Sequence, residues 1–295
     1  MSKEPKWIVI TGTSGYVGSH VASRFRSAGF RVAGIDCVEN LRVKLDDFFH
    51  SGTADVESLS NFIVEKDPEA VIHIASIFFR KDTPSEVRNL VENNVGFGTQ
   101  VLDACRRTRA KCFVNTGSYW QYRDNAGYSP VDLYAATKAI LQLMVDSYVS
   151  LYNIRATTLV LFDPYGKDDL RPKFLPSLIK SYHDGLTIKM TPGEQVVDFV
   201  HIDDIAEAYL SAVNNMAANN FSGHQVFGVS SGHRYVLRQL IERVCAAIPG
   251  LTVQIGALSY RPGEVMLPWS GFSKVPNWMP THDVFLDLME WLSDH

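Results

Sequence analysis

Apolar positions enter this chain as short unbroken runs separated by helical repeats. Trp7–Thr11 (WIVIT) is apolar and β-branched and stops at Gly12, which predicts a buried strand. Val17, Val21 and Phe25 then recur at helical spacing before Gly29, and a second strand follows, ending at Asp36. EAVIHIAS (69–76) and KCFVNTG (111–117) repeat the strand pattern, with helical stretches over 87–107 and 133–152 around them. Strand, helix, strand in succession predicts a parallel sheet with right-handed connections, whose strand ends gather ligands at one edge. The expected fold is α/β, a doubly wound parallel sheet of the Rossmann kind.

Beyond residue 152 the rhythm loosens. IRATTLVLFD (154–163) reads as another buried strand, 164–192 is rich in Pro, Lys, Arg and Asp and looks like an insertion over a pocket, and 196–213 returns to strand then helix. Asp203 or Asp204 is placed to cap that helix. The expected division is a dinucleotide-binding part, 1–163 completed by 196–222, and a smaller discontinuous C-terminal substrate domain, 164–195 and 223–295. No internal repeat, low-complexity tract or flexible linker separates them, so they should fold as one unit.

Composition fits that picture. At 295 residues, 46% hydrophobic and 20% charged, the chain can bury a sizeable core. A formal charge of -4, with dispersed basic residues, gives no general attraction to nucleic acid or an anionic membrane. Cys37, Cys105, Cys112 and Cys245 lack metal-ligand spacing, so no metal site and reduced, mostly buried thiols are expected. MSKEPK leads straight into a strand and no apolar run approaches the ~18–20 residues that span a bilayer, so the expected location is the cytoplasm.

Three local patterns carry chemistry. TGTSGYVG sets Gly12, Gly15 and Gly18 between a strand and a helix, where glycine allows a tight turn and a diphosphate can reach the helix amides. Asp36 at the end of the second strand suits the two ribose hydroxyls of an adenosine and would repel a 2′-phosphate, which favours NAD; Arg42 or Lys44 reaching a 2′-phosphate leaves NADP open. Tyr134 and Lys138 in YAATK lie one helical turn apart, so an ammonium can sit beneath a phenol and shift it from its ordinary pKa of ~10 toward phenolate. Ser118 ends the strand before them, where its hydroxyl can hold the same substrate oxygen. An exposed helical pair and a turn serine are the plainer alternatives.

In order and spacing, TGTSGYVG, Asp36, VIHIAS, Ser118, Tyr134-x-x-x-Lys138, DFVHIDDIA (198–206) and RPGE (261–264) resemble the extended short-chain dehydrogenase/reductase family, the sugar-nucleotide epimerases, dehydratases and ketoreductases. The resemblance implies a nicotinamide cofactor against Gly12, Gly15, Tyr16, Val17, Gly18, Asp36, Ala75, Tyr134 and Lys138, and catalysis by Ser118, Tyr134 and Lys138. It also implies a nucleotide-diphosphate sugar against Ser118, Tyr119, Trp120, Asp163, Phe174, Arg261 and Glu264, with Arg261 on the diphosphate and Glu264 on the nucleotide's ribose. A homodimer is implied through the helices at 87–107 and 133–152, whose apolar residues Leu141, Met144, Val145 and Tyr148 could equally be core.

Departures from the family narrow the reaction. Tyr119 and Trp120 stand where dehydratases carry an Asp-Glu pair, and Trp120 also where 3,5-epimerising members carry a cysteine, which leaves hydride transfer at C4. NTGSYWQY, DLYAATK and NVGFGT are most similar to the CDP-abequose and CDP-paratose synthases, so the resemblance implies NAD(P)H-dependent reduction of a nucleotide-linked 4-keto-6-deoxyhexose in deoxysugar biosynthesis. A 4-epimerase or a non-catalytic dinucleotide-binding regulator are the other readings. Asp163 replaces a common asparagine, Val197 a common arginine and Gly52 a common adenine-side aspartate; Lys167, Arg171 or Lys173 is expected to balance Asp163.

Overall fold

The computed structural model describes residues 5–38, 42–52, 55–79, 83–123, 127–217 and 221–293. In chain order its strands are β1 (Trp7–Thr11), β2 (Arg31–Asp36), β3 (Asp47–His50), β4 (Ala70–His73), β5 (Cys112–Ser118), β6 (Arg155–Leu161), β7 (Asp163–Tyr165), β8 (Ile188–Lys189), β9 (Val196–Val197), β10 (Phe199–His201), β11 (His224–Val229), β12 (Tyr235–Val236), β13 (Val253–Gln254) and β14 (Ser273–Lys274). The helices are α1 (Tyr16–Ser27), α2 (Val56–Lys66), α3 (Pro84–Val91), α4 (Gly98–Cys105), α5 (Leu133–Tyr152), α6 (Phe174–His183), α7 (Ile202–Met216), α8 (Leu237–Ala247) and α9 (Val284–Ser293).

Eight strands form the central sheet in the order β14-β11-β6-β5-β4-β1-β2-β3, and each pairing is parallel. Alternate residues of one strand therefore serve opposite layers. Ile8, Ile10, Ile72 and Val114 pack with Val21 and Phe25 of α1 and Ile205 and Tyr209 of α7. Val9, Ala33, Val71 and Phe113 pack with Ile63 of α2, Leu102 of α4 and Val145 of α5. A third apolar cluster joins α6, α8 and α9 through Leu178, Leu240, Ile241, Leu288 and Trp291, and includes no residue of the central sheet.

The doubly wound parallel sheet is as expected, and several local readings need correction. The helical stretch at 87–107 begins at Pro84, because Thr83 and Glu86 form a reciprocal cap, and Glu92–Phe97 within it is a π-helical segment. Neither Asp203 nor Asp204 caps α7: His201 does, its Nδ1 accepting from the Asp203 N–H at 3.3 Å. Asp204 instead accepts from the backbone N–H groups of Thr281 and His282 and ties the C-terminal segment to α7. The stretch 164–192, expected as an insertion over a pocket, holds α6 and β8, and Pro164, Tyr165 and residues 173–176 line a cavity. The boundary set at 222 divides the sheet, since β11 pairs with β6 over six residues. Cys105 and Cys112 are buried, Cys245 is half-buried, Cys37 is exposed, and all four are free thiols. Among the described residues no helix is long and apolar enough to cross a membrane.

Candidate active site

Gly12 leaves β1 with φ +78°, and the turn brings it against β4 so closely that a Cβ would lie 2.8 Å from the Ala75 backbone. A Cβ on Gly18 would lie 2.0 Å from the Gly12 carbonyl oxygen. Thr11 fixes the crossing: its Oγ1 accepts the N–H groups of Ile74 and Ala75 at 3.1 Å each, so its own proton goes to Nδ1 of His73 at 2.9 Å. That histidine is fully buried and its pKa falls to about 3, through burial and the Lys138 charge, so it stays neutral.

The turn opens on a cleft of about 370 Å³ lined by Gly12, Gly15, Tyr16, Val17, Gly18, Asp36 and Ala75, all expected cofactor residues. Gly52 also lines it, so no side chain stands at that place. Gly15 precedes α1 with no side-chain cap, leaving first-turn amides to meet an anion. Asp36 accepts from Ser14 N and Oγ at 2.9 and 2.6 Å, which orients its carboxylate at the rim. Backbone stripped of Cβ atoms, an uncapped helix start and an acid ending β2 together fit a dinucleotide.

Tyr134 and Lys138 do not line this cleft themselves; Ser76 does, and its hydroxyl reaches the Tyr134 phenol. Lys138 is buried, lies 5.8 Å from the Tyr134 ring centroid and donates to the Thr116 carbonyl at 3.1 Å. Burial alone brings its pKa down to about 8. The expectation that Lys138 lowers the phenol is not met by these side chains alone. Burial raises the Tyr134 pKa, with Ser76 and Arg171 opposing and Asp132 adding. Ser118 ends β5 two residues past Thr116, where its Oγ accepts from Trp120 N at 3.3 Å and caps the short 3-10 helix Tyr119–Gln121.

A second cavity of about 200 Å³ is lined by Tyr119, Trp120, Asp163, Phe174, Arg261 and Glu264, every expected substrate residue except Ser118. Trp120 links this cavity to Tyr134. Its ring meets Tyr134 edge-on at 6.3 Å, Arg261 lies over it at 4.1 Å and the Lys173 ammonium at 5.8 Å. Tyr119 and Trp120 are both nearly buried, so they are core residues that also wall the cavity. Glu264 pairs with Arg261 at 3.0 Å. Burial lifts the Asp163 carboxyl to about 6 against the pull of Lys173, Arg261 and the Tyr119 hydroxyl, which donates to it at 3.1 Å. Of the three suggested balancing cations, Lys173 is the one whose charge acts most on Asp163, whereas Arg171 is held by Asp169.

Sequence reasoning missed Gln195, which lines the second cavity with its Oε1 buried and unpartnered. It also missed Asn94, which bonds both backbone groups of Ile77 and Thr137 Oγ1, tying the cleft wall to α5. Paired asparagines inside a helical stretch, residues that favour local backbone bonds over helix, were the available signal. Elsewhere His201, Asp203 and His282 approach one another, but the imidazoles stack at 3.8 Å and 18°, so their in-plane lone pairs do not converge.

Against known proteins, the sequence model described as the NAD dependent epimerase/dehydratase family matches residues 8–226. A CDP-abequose synthase of Yersinia pseudotuberculosis is 28% identical over 262 residues, 88% of this chain and 91% of that protein. Among solved structures, UDP-N-acetylglucosamine 4-epimerase from Methanobrevibacter ruminantium, in complex with UDP-N-acetylmuramic acid, has a TM-score of 0.80 at 21% identity, covering 99% of this chain and 98% of its own. UDP-glucose 4-epimerase of Thermus thermophilus, in complex with NAD, has a TM-score of 0.79 at 20% identity, covering 97% and 98%. The glycine turn, the acid ending β2 and the Tyr-Lys pair all fall inside the matched span, and the chain belongs to the NAD dependent epimerase/dehydratase family.

Proposed function

We propose that this protein reduces the C4 keto group of a nucleotide-diphosphate-linked 4-keto-6-deoxyhexose with a reduced nicotinamide cofactor, NADH by preference. One observation carries the reading: the Trp120 ring meets the Tyr134 ring edge-on at 6.3 Å and has Arg261 and Lys173 over it at 4.1 and 5.8 Å, so an acid for C4 and a diphosphate clamp meet at one indole. The similarity to CDP-abequose synthase supports reduction over other outcomes. The cofactor, held by the glycine turn, Asp36 and Ala75, supplies the hydride when bound.

The chain's own residues do the rest. Tyr134 delivers a proton to the emerging alkoxide, and its raised pKa keeps that proton in place until charge develops on the substrate oxygen. Ser118 gives a second hydrogen bond to the same oxygen, and Lys138 would bond the nicotinamide ribose. Arg261 and Lys173 hold the diphosphate, Glu264 leaves Arg261 for the ribose, and Phe174 backs the base. In this reading residues 1–163 with 196–229 carry the cofactor, and 164–195 with the remainder of the C-terminal part carry the sugar nucleotide.

We also propose a homodimer through α5. Leu141 and Val145 face this chain's own core, so they leave the proposed interface, whereas Ile140, Leu143 and Leu151 are exposed along the same helix.

Mixing the protein with NADH and a 4-keto-6-deoxy sugar nucleotide should remove nicotinamide absorbance in proportion to substrate. Interconversion of two sugar nucleotides with no net change in absorbance would instead establish the 4-epimerase reading, which the structural similarity to 4-epimerases keeps in play.

Asp163 makes a separate prediction. With its carboxyl at about 6, above the ordinary ~3.9, it is neutral in mild acid and anionic above. The anion repels a diphosphate, so sugar-nucleotide affinity should fall as pH rises through about 6. Asp163→Asn should flatten the profile and bind more tightly at neutral pH; calorimetric titration across that range reads both, and an unchanged slope would remove Asp163 from the cavity's electrostatics.

A further inference from the structure

Of the described residues lining the cofactor cleft, Arg171 is the only lysine or arginine, and it comes from the segment between β7 and α6 rather than from the glycine turn it faces. Its position is built. Nε and Nη2 each donate to Asp169 at 2.7 Å, the Asp169 side chain is fully buried, and Nη2 also donates to the Pro164 carbonyl at 3.0 Å. The guanidinium carbon lies 4.4 Å over the ring of Tyr16, the first residue of α1. Tyr16 is itself nearly buried, and its hydroxyl has no hydrogen-bond partner. Those contacts use two of the three guanidinium nitrogens and leave Nη1 for a ligand.

The electrostatics select the ligand. The start of α1 carries partial positive charge from its unbonded amides, and Arg171 brings a second positive centre to the residue that begins the helix. Asp169 offsets part of that charge from the far side of the guanidinium. An anion in the cleft would meet both positive centres at once, as a guanidinium and helix amides meet a phosphate.

We propose that Arg171 binds the diphosphate of the cofactor from the side opposite the α1 amides. The inference rests on reading this cleft as a dinucleotide site and is independent of which sugar is reduced. It also connects the two cavities. Lys173 N donates to the Arg171 carbonyl at 2.7 Å, so an anion drawn to Arg171 orders the segment that carries Lys173 into the second cavity. The Arg171 charge is felt at the Tyr134 phenol as well.

The test needs no turnover: ADP-ribose and adenosine are titrated calorimetrically into wild type and Arg171→Gln. Loss of a charged hydrogen bond should weaken ADP-ribose about 10- to 100-fold and leave adenosine within about twofold. Wild-type affinity for ADP-ribose should also fall more steeply with salt than the variant's. Unchanged ADP-ribose affinity, or equal losses for both ligands, overturns the proposal. Should Arg171→Gln fail to fold, Arg171→Lys serves. An ammonium cannot keep the two-pronged Asp169 contact and also meet a phosphate, so about a three- to tenfold loss on ADP-ribose alone is expected, and no loss overturns the proposal. Failure of wild type to bind ADP-ribose at all would overturn the dinucleotide reading of the cleft, and with it this inference, whereas an insensitive variant overturns Arg171 alone.

Discussion

Tyr134→Phe is expected to slow turnover about 10²- to 10⁴-fold, the range a positioned general acid supplies. Tyr134 and Tyr119 both meet the Trp120 ring edge-on, but the tyrosine hydroxyls near Tyr134 are committed. That of Tyr209 lies 2.6 Å from Thr116 Oγ1, and that of Tyr119 donates to Asp163. Cofactor affinity should stay within about twofold, since the glycine turn and Asp36 lie outside the substitution. Steady-state rates and a fluorescence titration with NADH separate the two quantities. A variant that turns over at the wild-type rate ends the assignment of Tyr134 as the proton donor.

Gly18→Ala is expected to have the largest effect on cofactor binding. A methyl group there would overlap the Gly12 carbonyl oxygen at 2.0 Å, and that oxygen belongs to backbone which cannot swing away as a side-chain tip can. Either the turn opens or α1 shifts, at a cost of about 1–3 kcal/mol in stability, and both moves spoil the close approach a diphosphate needs. A loss of about 100-fold or more in NADH affinity follows from two displaced amide contacts at ~1.5 kcal/mol or more each. Gly29 provides the control. Its φ is +89° but a Cβ there meets nothing, so Gly29→Ala should cost about 1 kcal/mol of backbone strain and leave NADH affinity unchanged. If Gly18→Ala bound NADH like wild type, the turn would not be the diphosphate cradle.

Much of this site was legible because its signals are short-range. The strand run 7–11, the glycines at 12, 15 and 18 and the Tyr-Lys pair each lie within a few residues, where chain geometry admits few arrangements. The helix at Leu133–Tyr152 appears with the expected bounds because Asp132 caps its start and Asn153, in the left-handed region, ends it. The cap of α7 was misread for a related reason. Aspartate is a common cap, but the residue that leaves the helix with extended backbone is His201, and the buried Asp204 is taken by Thr281 and His282, 77 and 78 residues away.

The exposed face of α5 shows the same limit. Leu141 and Ile140 are adjacent and both apolar, yet one is buried and the other is not, because the neighbouring sheet and α4 cover only one side of the helix. Period alone marks a stripe; it does not say what covers it.

By itself the sequence determined the parallel sheet, the place of the dinucleotide turn and the pairing of phenol with amine, since each follows from spacing along one or two turns of chain. Only the tertiary structure decided which cation faces which carboxylate, with Lys173 acting on Asp163 and Arg171 held by Asp169, and only it brought Tyr134, Arg261 and Lys173 to the Trp120 ring. Charges and aromatic faces act through space over several ångströms, and their partners here arrive from strands and loops far apart in the chain, so packing settles what local geometry leaves open.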